Sequence, residues 1–595
     1  MPLLDRGRLL FTQLCLLLLS CGGGADNVRP NHGPDGAKLE AYFNAPRRET
    51  LIMDRSGRLQ SSDNWNPYVP GNATGWGLSQ FSDPLTLLNY GTGQIENWMA
   101  ESIIPNEDFT VWTVRLRPGI TWQDGTPFTA DDIVFSVKLQ MDHETLGQHF
   151  AYKEWIRSVE KSDSLTVIYH LNKSNVRFKL ERFSDNLCGV DVFVPKHVWE
   201  KVADPVTFKN FDLAKGLPMG VGPYLLYKVT ANETIWVRND NWWAAKVGIK
   251  KLPEPKKIII AFAGTEEIRL ATGIDGDFDT MDDITLGSFD ALTARNPAWI
   301  AFQKEKPYVW PDPCARNLSV NNAREPWNDK AMRWMLSDVM DRQQIIDIAY
   351  EGTSIMGPYP WPLYPALQRF TDLISAETVA RLNRPNVDRA RETLIAKGYE
   401  KTGKYWTKKG KELGLEIQVV EGITELERIA DVYGEQLQRF GINAVKVKFE
   451  GGTWGENLAT GNFEVQSGWQ LCGSTVEPWN TLRQLRADAV APIGERARLP
   501  KANAFRWYNA EYSELVDRIS SLAWDDPQLV ALTGRALEIY YDQLPVIPTA
   551  QSKKLVPFNT TYWTNWPTKD NYYQRPVTWC PSCVGILPEL VASEK

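Results

Sequence analysis

Residues 116–136, LRPGITWQDGTPFTADDIVFS, leave the backbone few choices. The stretch before them, Thr110–Leu116, alternates polar and apolar residues as a half-buried strand does. Arg117-Pro118-Gly119 ends that strand, because proline fixes φ and glycine accepts the left-handed conformation of a tight turn. Asp124-Gly125 and Thr126-Pro127 form a second turn. Thr129 then stands three residues before Asp132, placed to cap the free N–H groups of a helix carrying Ile133, Val134 and Val137.

Helix and strand signals alternate again in the second half. Asn328 is placed to cap a long helix with Met332, Met335, Leu336 and Val339 on one face and Gly352 beyond its end. Pro385–Tyr399 reads as a helix closed by Gly398. Thr424-Glu425-Leu426-Glu427 reads as a capping box opening a helix with Leu426, Ile429, Tyr433, Leu437 and Phe440 in register, ended by Gly441. Ile442–Phe449 then alternates as a strand. Such alternation predicts an α/β lobe with helices covering a mixed sheet. A chain of 595 residues is too long for one core and implies three or four domain-sized units. Its net charge of −7 argues against nucleic acid or an acidic membrane surface as a partner. Gly398–Tyr405 imitates a phosphate-binding loop but lacks the Ser/Thr that holds magnesium, and it follows a helix instead of a strand. Trp406 and Gly410 fit a glycine-turned hairpin there instead.

The N-terminus reads as an export signal, with Arg6 and Arg8 ahead of the apolar run Leu9–Leu19, which is too short to span a bilayer. Leu18-Leu19-Ser20-Cys21-Gly22 resembles a bacterial lipobox, which implies cleavage after residue 20, lipidation of Cys21 and a flexible tether over 21–37. The expected location is periplasmic or cell-surface, anchored to the membrane by the lipid. Export permits disulfides. Cys580-Pro581-Ser582-Cys583 lies in a Pro-rich tail without thioredoxin-like surroundings, so a local Cys580–Cys583 disulfide is expected over redox chemistry. Zinc would need further ligands that are not nearby.

Taken in order, the segments resemble the extracellular solute-binding proteins of the dipeptide/oligopeptide/nickel type, the receptors that feed ABC importers. The resemblance is carried by residues 116–136, by the Asn-Pro segment Ser61–Gly75, by Val192–Trp199, by Met219-Gly220-Val221-Gly222-Pro223-Tyr224, by Asn239–Trp243 and by Ala271–Asp279. It implies a two-lobe α/β fold of the periplasmic-binding-protein-like kind (type II, cluster C) with an extra subdomain inserted in the first lobe. The expected division is 38–80 and 215–313 for the first lobe, 81–214 for the insertion, 314–548 for the second lobe, and 549–595 for a return to the first. The resemblance also implies a Cys314–Cys472 disulfide, permease subunits as partners, a monomer, and no catalysis or cofactor.

Ligand contacts are expected from Trp65, Asn66 and Trp76 in the first lobe, from Trp361, and from Gly468–Leu482, GWQLCGSTVEPWNTL. In peptide-binding relatives an Asp two residues after the Cys holds the peptide's α-amino group; here that position is Ser474, with Glu477 offset by three. A buried ammonium without an opposite charge is costly. Trp469, Trp479, Asn480 and Trp563, in a chain with 24 Trp, suit stacking on sugar faces with amides taking hydroxyls. A neutral oligosaccharide is therefore expected over a peptide, both remaining open, with a secreted glycoside hydrolase as the rival class. Only five His occur and none pair at helical spacing, so no nickel, haem or other metal is expected.

Overall fold

The computed structural model describes residues 27–28, 36–59, 61–90, 92–184, 191–523, 526–579 and 583–594. The export signal, Cys21, Cys188 and Cys580 lie outside them, and with Cys580 the expected Cys580–Cys583 bond.

Two sheets organise the chain. The first has the order Asn27–Val28, Tyr224–Val229, Glu233–Arg238, Lys257–Ala261, Thr50–Asp54, and its last two strands run parallel. The second has six strands: Ile355–Met356, Val546–Gln551, Arg316–Val320, Val465–Gly468, Gly414–Val420 and Asn443–Phe449. Gly414–Val420 is parallel to both its neighbours and the remaining pairings are antiparallel, so this is the mixed sheet that helix–strand alternation predicts. Between Thr50–Asp54 and Tyr224–Val229 the chain builds a separate antiparallel sheet, Ala100–Pro105, Val111–Leu116, Thr166–Leu171, Ile156–Asp163. This is an insertion within the first lobe. Two segments cross between the lobes side by side, Trp310–Pro311 against Lys553–Lys554. The tail then returns to the first lobe: Phe558–Asn559 pairs with Trp299–Ile300, and the Trp563 indole donates to the Thr50 carbonyl.

The 116–136 stretch folds as its residues require. Gly119 and Gly125 take φ of 85° and 89°. Thr129 caps the helix Ala130–Asp142 in a reciprocal box: its hydroxyl accepts from Asp131 N, and Asp132 Oδ2 accepts from Thr129 N at 2.9 Å. Two other expected caps are corrected. Asp329, not Asn328, caps Lys330–Val339, accepting from Ala331 N. The long helix expected there is two, because Met340 is extended and Asp341 offers a fresh cap to Arg342–Ala349 through Gln344 N. Helix Thr424–Phe440 starts at Thr424 itself, Ile423 precedes it without a side-chain cap, and Glu427 accepts instead from Gly422 N. The hairpin expected at Trp406 is a three-stranded unit turned at Gly403 and Gly410.

The tryptophans largely build cores. Trp65 stands edge-on to Trp236 at 5.5 Å, and the buried Asp83 Oδ2 accepts from the indoles of both Trp242 and Trp243 at 2.8 Å. Burial pushes the Asp83 carboxyl up to about 7. Cys314 and Cys472 form a disulfide with Cα atoms 4.5 Å apart, linking residues beside the paired strands Arg316–Val320 and Val465–Gly468. Replacing Thr129 with Ala is expected to remove about 1 kcal/mol of stability, read as a lower urea midpoint at unchanged slope, with Thr129→Ser largely restoring it.

Candidate ligand-binding site

In open α/β sheets ligands bind beyond the carboxyl ends of the strands. Both lobes turn such ends to a shared space. Thr50–Asp54 runs out at Asp54-Arg55-Ser56, and Gly414–Val420 leads to the helix start Gly422-Ile423-Thr424. The first lobe's helix Glu266–Ile274 also begins there. A cavity of about 440 Å³ lies between them, closed behind by the crossing segment Lys553–Leu555 and flanked by Trp469 and Trp579.

Its walls are charged. Lys554 Nζ lies 2.8 Å from Asp283 Oδ2 and 2.5 Å from Glu425 Oε1, and Glu425 also receives Arg316 Nε at 2.9 Å. Burial pushes the Glu425 carboxyl up, but Arg316 and Lys554 more than offset it and hold it down to about 2. Burial pushes Asp283 up as well, and there it outweighs Lys554, so the net shift is upward; its side chain is still 31% exposed, so water relieves part of that push. On the first lobe Arg269 Nε donates to Asp54 Oδ2 at 2.6 Å, and Ser56 donates to Asp282 Oδ2 through both N and Oγ. Asp282 Oδ1 is buried without a hydrogen-bond partner. Lys553 is half-buried with no carboxylate within ion-pair distance among the described residues, and burial lowers its pKa. Glu351 spans the lobes, accepting from Arg428 Nη1 and from Gly287 N at 2.8 Å each.

Residues 94–490 match the family described as bacterial extracellular solute-binding proteins, family 5 (middle region). The chain belongs to this family. It is 22% identical over 533 residues to heme-binding protein A of Haemophilus influenzae, covering 85% of this chain and 87% of that one. Its fold superposes on a mannohexaose-bound periplasmic oligopeptide-binding protein of an ABC transporter from Thermotoga maritima with a TM-score of 0.81 at 22% identity, over 93% of this chain and 100% of that one. The oligopeptide-binding protein AppA of Bacillus subtilis, in complex with a nonapeptide, gives 0.72 at 17% identity, over 92% and 99%. The two-lobe fold is that of these substrate-binding proteins.

Of the ligand contacts expected in this family-5 protein, the cavity wall includes Trp469, which stacks near Trp454 at 5.4 Å under the Arg316 guanidinium. Ser474 is buried beyond the wall, its hydroxyl accepting from Thr481 N at 3.0 Å. Trp479 and Asn480 follow it away from the cavity, Trp479 packing edge-on against Trp155 of the inserted subdomain. Trp65 donates to Ser62 O, Asn66 to Pro205 O and Phe208 O, Trp361 to Thr371 Oγ1, and Trp563 sits in the first-lobe core. Trp76 is also buried, its carbonyl accepting from Thr234 Oγ1. These side chains are not gathered at one place. Sequence reasoning passed over Arg55, Arg269, Arg316, Glu425 and Lys554. One signal was position: Asp54-Arg55 directly ends an apolar strand.

Glu425 titrates in the unfolded chain near 4.5 and in the folded one near 2, so the folded state binds fewer protons across that window. Its contribution is therefore complete above pH 4.5 and is lost as pH falls toward 2. Glu425→Gln, which strands Arg316 and Lys554 in the interior, is expected to cost about 3–5 kcal/mol at pH 7 and to flatten the fall in urea midpoint below pH 4.5.

Proposed function

We propose that this substrate-binding receptor captures an oligosaccharide between its lobes and closes about the crossing segments, presenting the closed form to the permease subunits of an ABC importer. The observation that carries the choice of ligand is Ser474. It holds the sequence position at which peptide-binding relatives carry an acid, and it lies buried beyond the wall with its hydroxyl engaged by Thr481 N, so that position offers no carboxylate to a peptide's ammonium. The cavity supports the same reading. Trp469 lines it with an indole, and Lys553, which has no carboxylate within ion-pair distance among the described residues, supplies a donor. A sugar hydroxyl accepts from such a donor. Among the described residues no His lines the cavity. Lipidation at Cys21 would hold the receptor at the membrane as a monomer, with lobe boundaries near residues 80, 214, 313 and 548. Among the described residues no helix is long and apolar enough to cross a membrane.

Thermal-shift screening tests this reading. Mannohexaose, cellohexaose and xylohexaose are set against di- to nonapeptides, and at least one sugar is expected to raise the unfolding temperature while peptides leave it unchanged. Trp469→Ala is expected to weaken the effective sugar by roughly tenfold, about 1–2 kcal/mol. Stabilisation by peptides alone overturns the choice of ligand, and product released from a labelled sugar overturns the receptor.

A further inference from the structure

A second contact between the lobes lies outside the cavity wall, and the chain supplies both of its sides. Arg177 belongs to the inserted subdomain, and an Asx turn in which Arg177 N donates to Asn175 Oδ1 at 2.9 Å fixes its backbone. Its guanidinium reaches Glu477 of the second lobe, with Nη2 3.1 Å from Oε2; the two side chains are 4% and 2% exposed. Nη1 donates to the carbonyls of Ile519 and Ser520 at 3.1 and 3.0 Å, at the carboxyl end of helix Ala510–Ser520, where the helix dipole favours a cation. Glu477 Oε2 also accepts from Trp479 N at 3.0 Å. The Trp479 ring lies between two guanidiniums, Arg177 at 5.4 Å and Arg483 at 4.8 Å, with Trp155 edge-on at 6.2 Å. Arg483 reaches back across the same boundary to Glu181 at 3.2 Å.

The contacts of Arg177 with Glu477, with the two carbonyls and with Trp479, that of Trp155 with Trp479 and that of Arg483 with Glu181 pair the inserted subdomain with the second lobe, so these are made together on closing and lost together on opening. A buried ion pair by itself contributes little, because separating it returns both charges to water. Here the pair comes with the burial of Trp479 and with the carbonyl acceptors of Ile519 and Ser520, which among the described residues no other Lys or Arg side chain shares. We propose that Arg177, Glu477 and Trp479 form a clasp that holds the receptor closed before ligand enters, so that the ligand-free protein is mainly closed. The proposal rests on the hinge-closure reading and is independent of which ligand the cavity takes.

Small-angle X-ray scattering of the ligand-free full chain tests it. The parent curve is expected to match the lobe arrangement in which Arg177 meets Glu477, in low salt and in 1 M NaCl, since a buried pair is little screened while the exposed Arg498–Glu144 contact is. Arg177→Met/Glu477→Gln removes both charges together and strands neither. It is expected to shift the pair-distance distribution to longer distances, with far-UV circular dichroism unchanged. Arg177→Lys, which keeps the charge, is expected to remain mainly closed. A parent that is already extended, a parent that opens in 1 M salt, or a double variant that scatters like the parent each overturns the clasp. None of these results bears on sugar binding, which thermal shift reads separately.

Discussion

One ammonium holds the two halves of this molecule in register. Lys554 lies on the crossing segment and meets Asp283 of the first lobe on one side and Glu425 of the second on the other. No pair of the three would be favourable alone in that interior, since desolvating an ammonium costs several kcal/mol and a single carboxylate returns only part of it. Arg316 completes the set by donating to the same oxygen of Glu425, while Ser552 Oγ donates to the other. The backbone is drawn in too, because Leu555 N donates to the other oxygen of Asp283. The crossing segment is thereby fixed to both lobes at the back of the cavity, and a rotation of one lobe against the other has a defined pivot.

That pivot explains why the cavity wall is so polar without being a charged funnel. Arg316, Lys554, Arg428 and Arg269 are each matched by a carboxylate of the chain itself. Among the described residues of the wall, Arg55 and Lys553 have no carboxylate within ion-pair distance, and Trp469 adds an indole beside them. These are groups that fix orientation more than they supply bulk electrostatic attraction.

The sequence made the local chemistry legible and the long-range chemistry hardly at all. Thr129 and Asp132 are three residues apart, so their reciprocal cap can be read directly, and Gly119, Gly125, Gly403, Gly410 and Gly441 mark turns and ends for the same reason. Where two candidate caps adjoin, as at Asn328 and Asp329, pattern cannot choose between them. Thr424 and Glu427 satisfy the spacing of a capping box, yet Glu425 between them must face inward to Arg316, and the helix starts one residue early. The Glu425–Lys554 contact spans 129 residues, and in a sequence each member looks like an ordinary surface charge. The indoles failed as markers for a different reason. The same amphipathic ring that stacks on a sugar also fills a core when its N–H finds an acceptor, as Trp361 does at Thr371 and Trp242 at Asp83.

The cavity thus lies between a fixed pivot and a contact that forms only when the lobes meet. The apparent affinity of a ligand that needs the closed form is its intrinsic affinity multiplied by the fraction of molecules already closed. A chain that closes through its own Arg177, Glu477 and Trp479 lowers that penalty without adding any contact to the ligand. It can then hold a neutral or weakly charged solute with few polar groups in the cavity. Wall residues therefore set selectivity, through the geometry of Trp469 and Lys553. Strength of capture is shared with residues that never touch the ligand, and a substitution in the inserted subdomain can change affinity for every ligand alike while leaving their order unchanged.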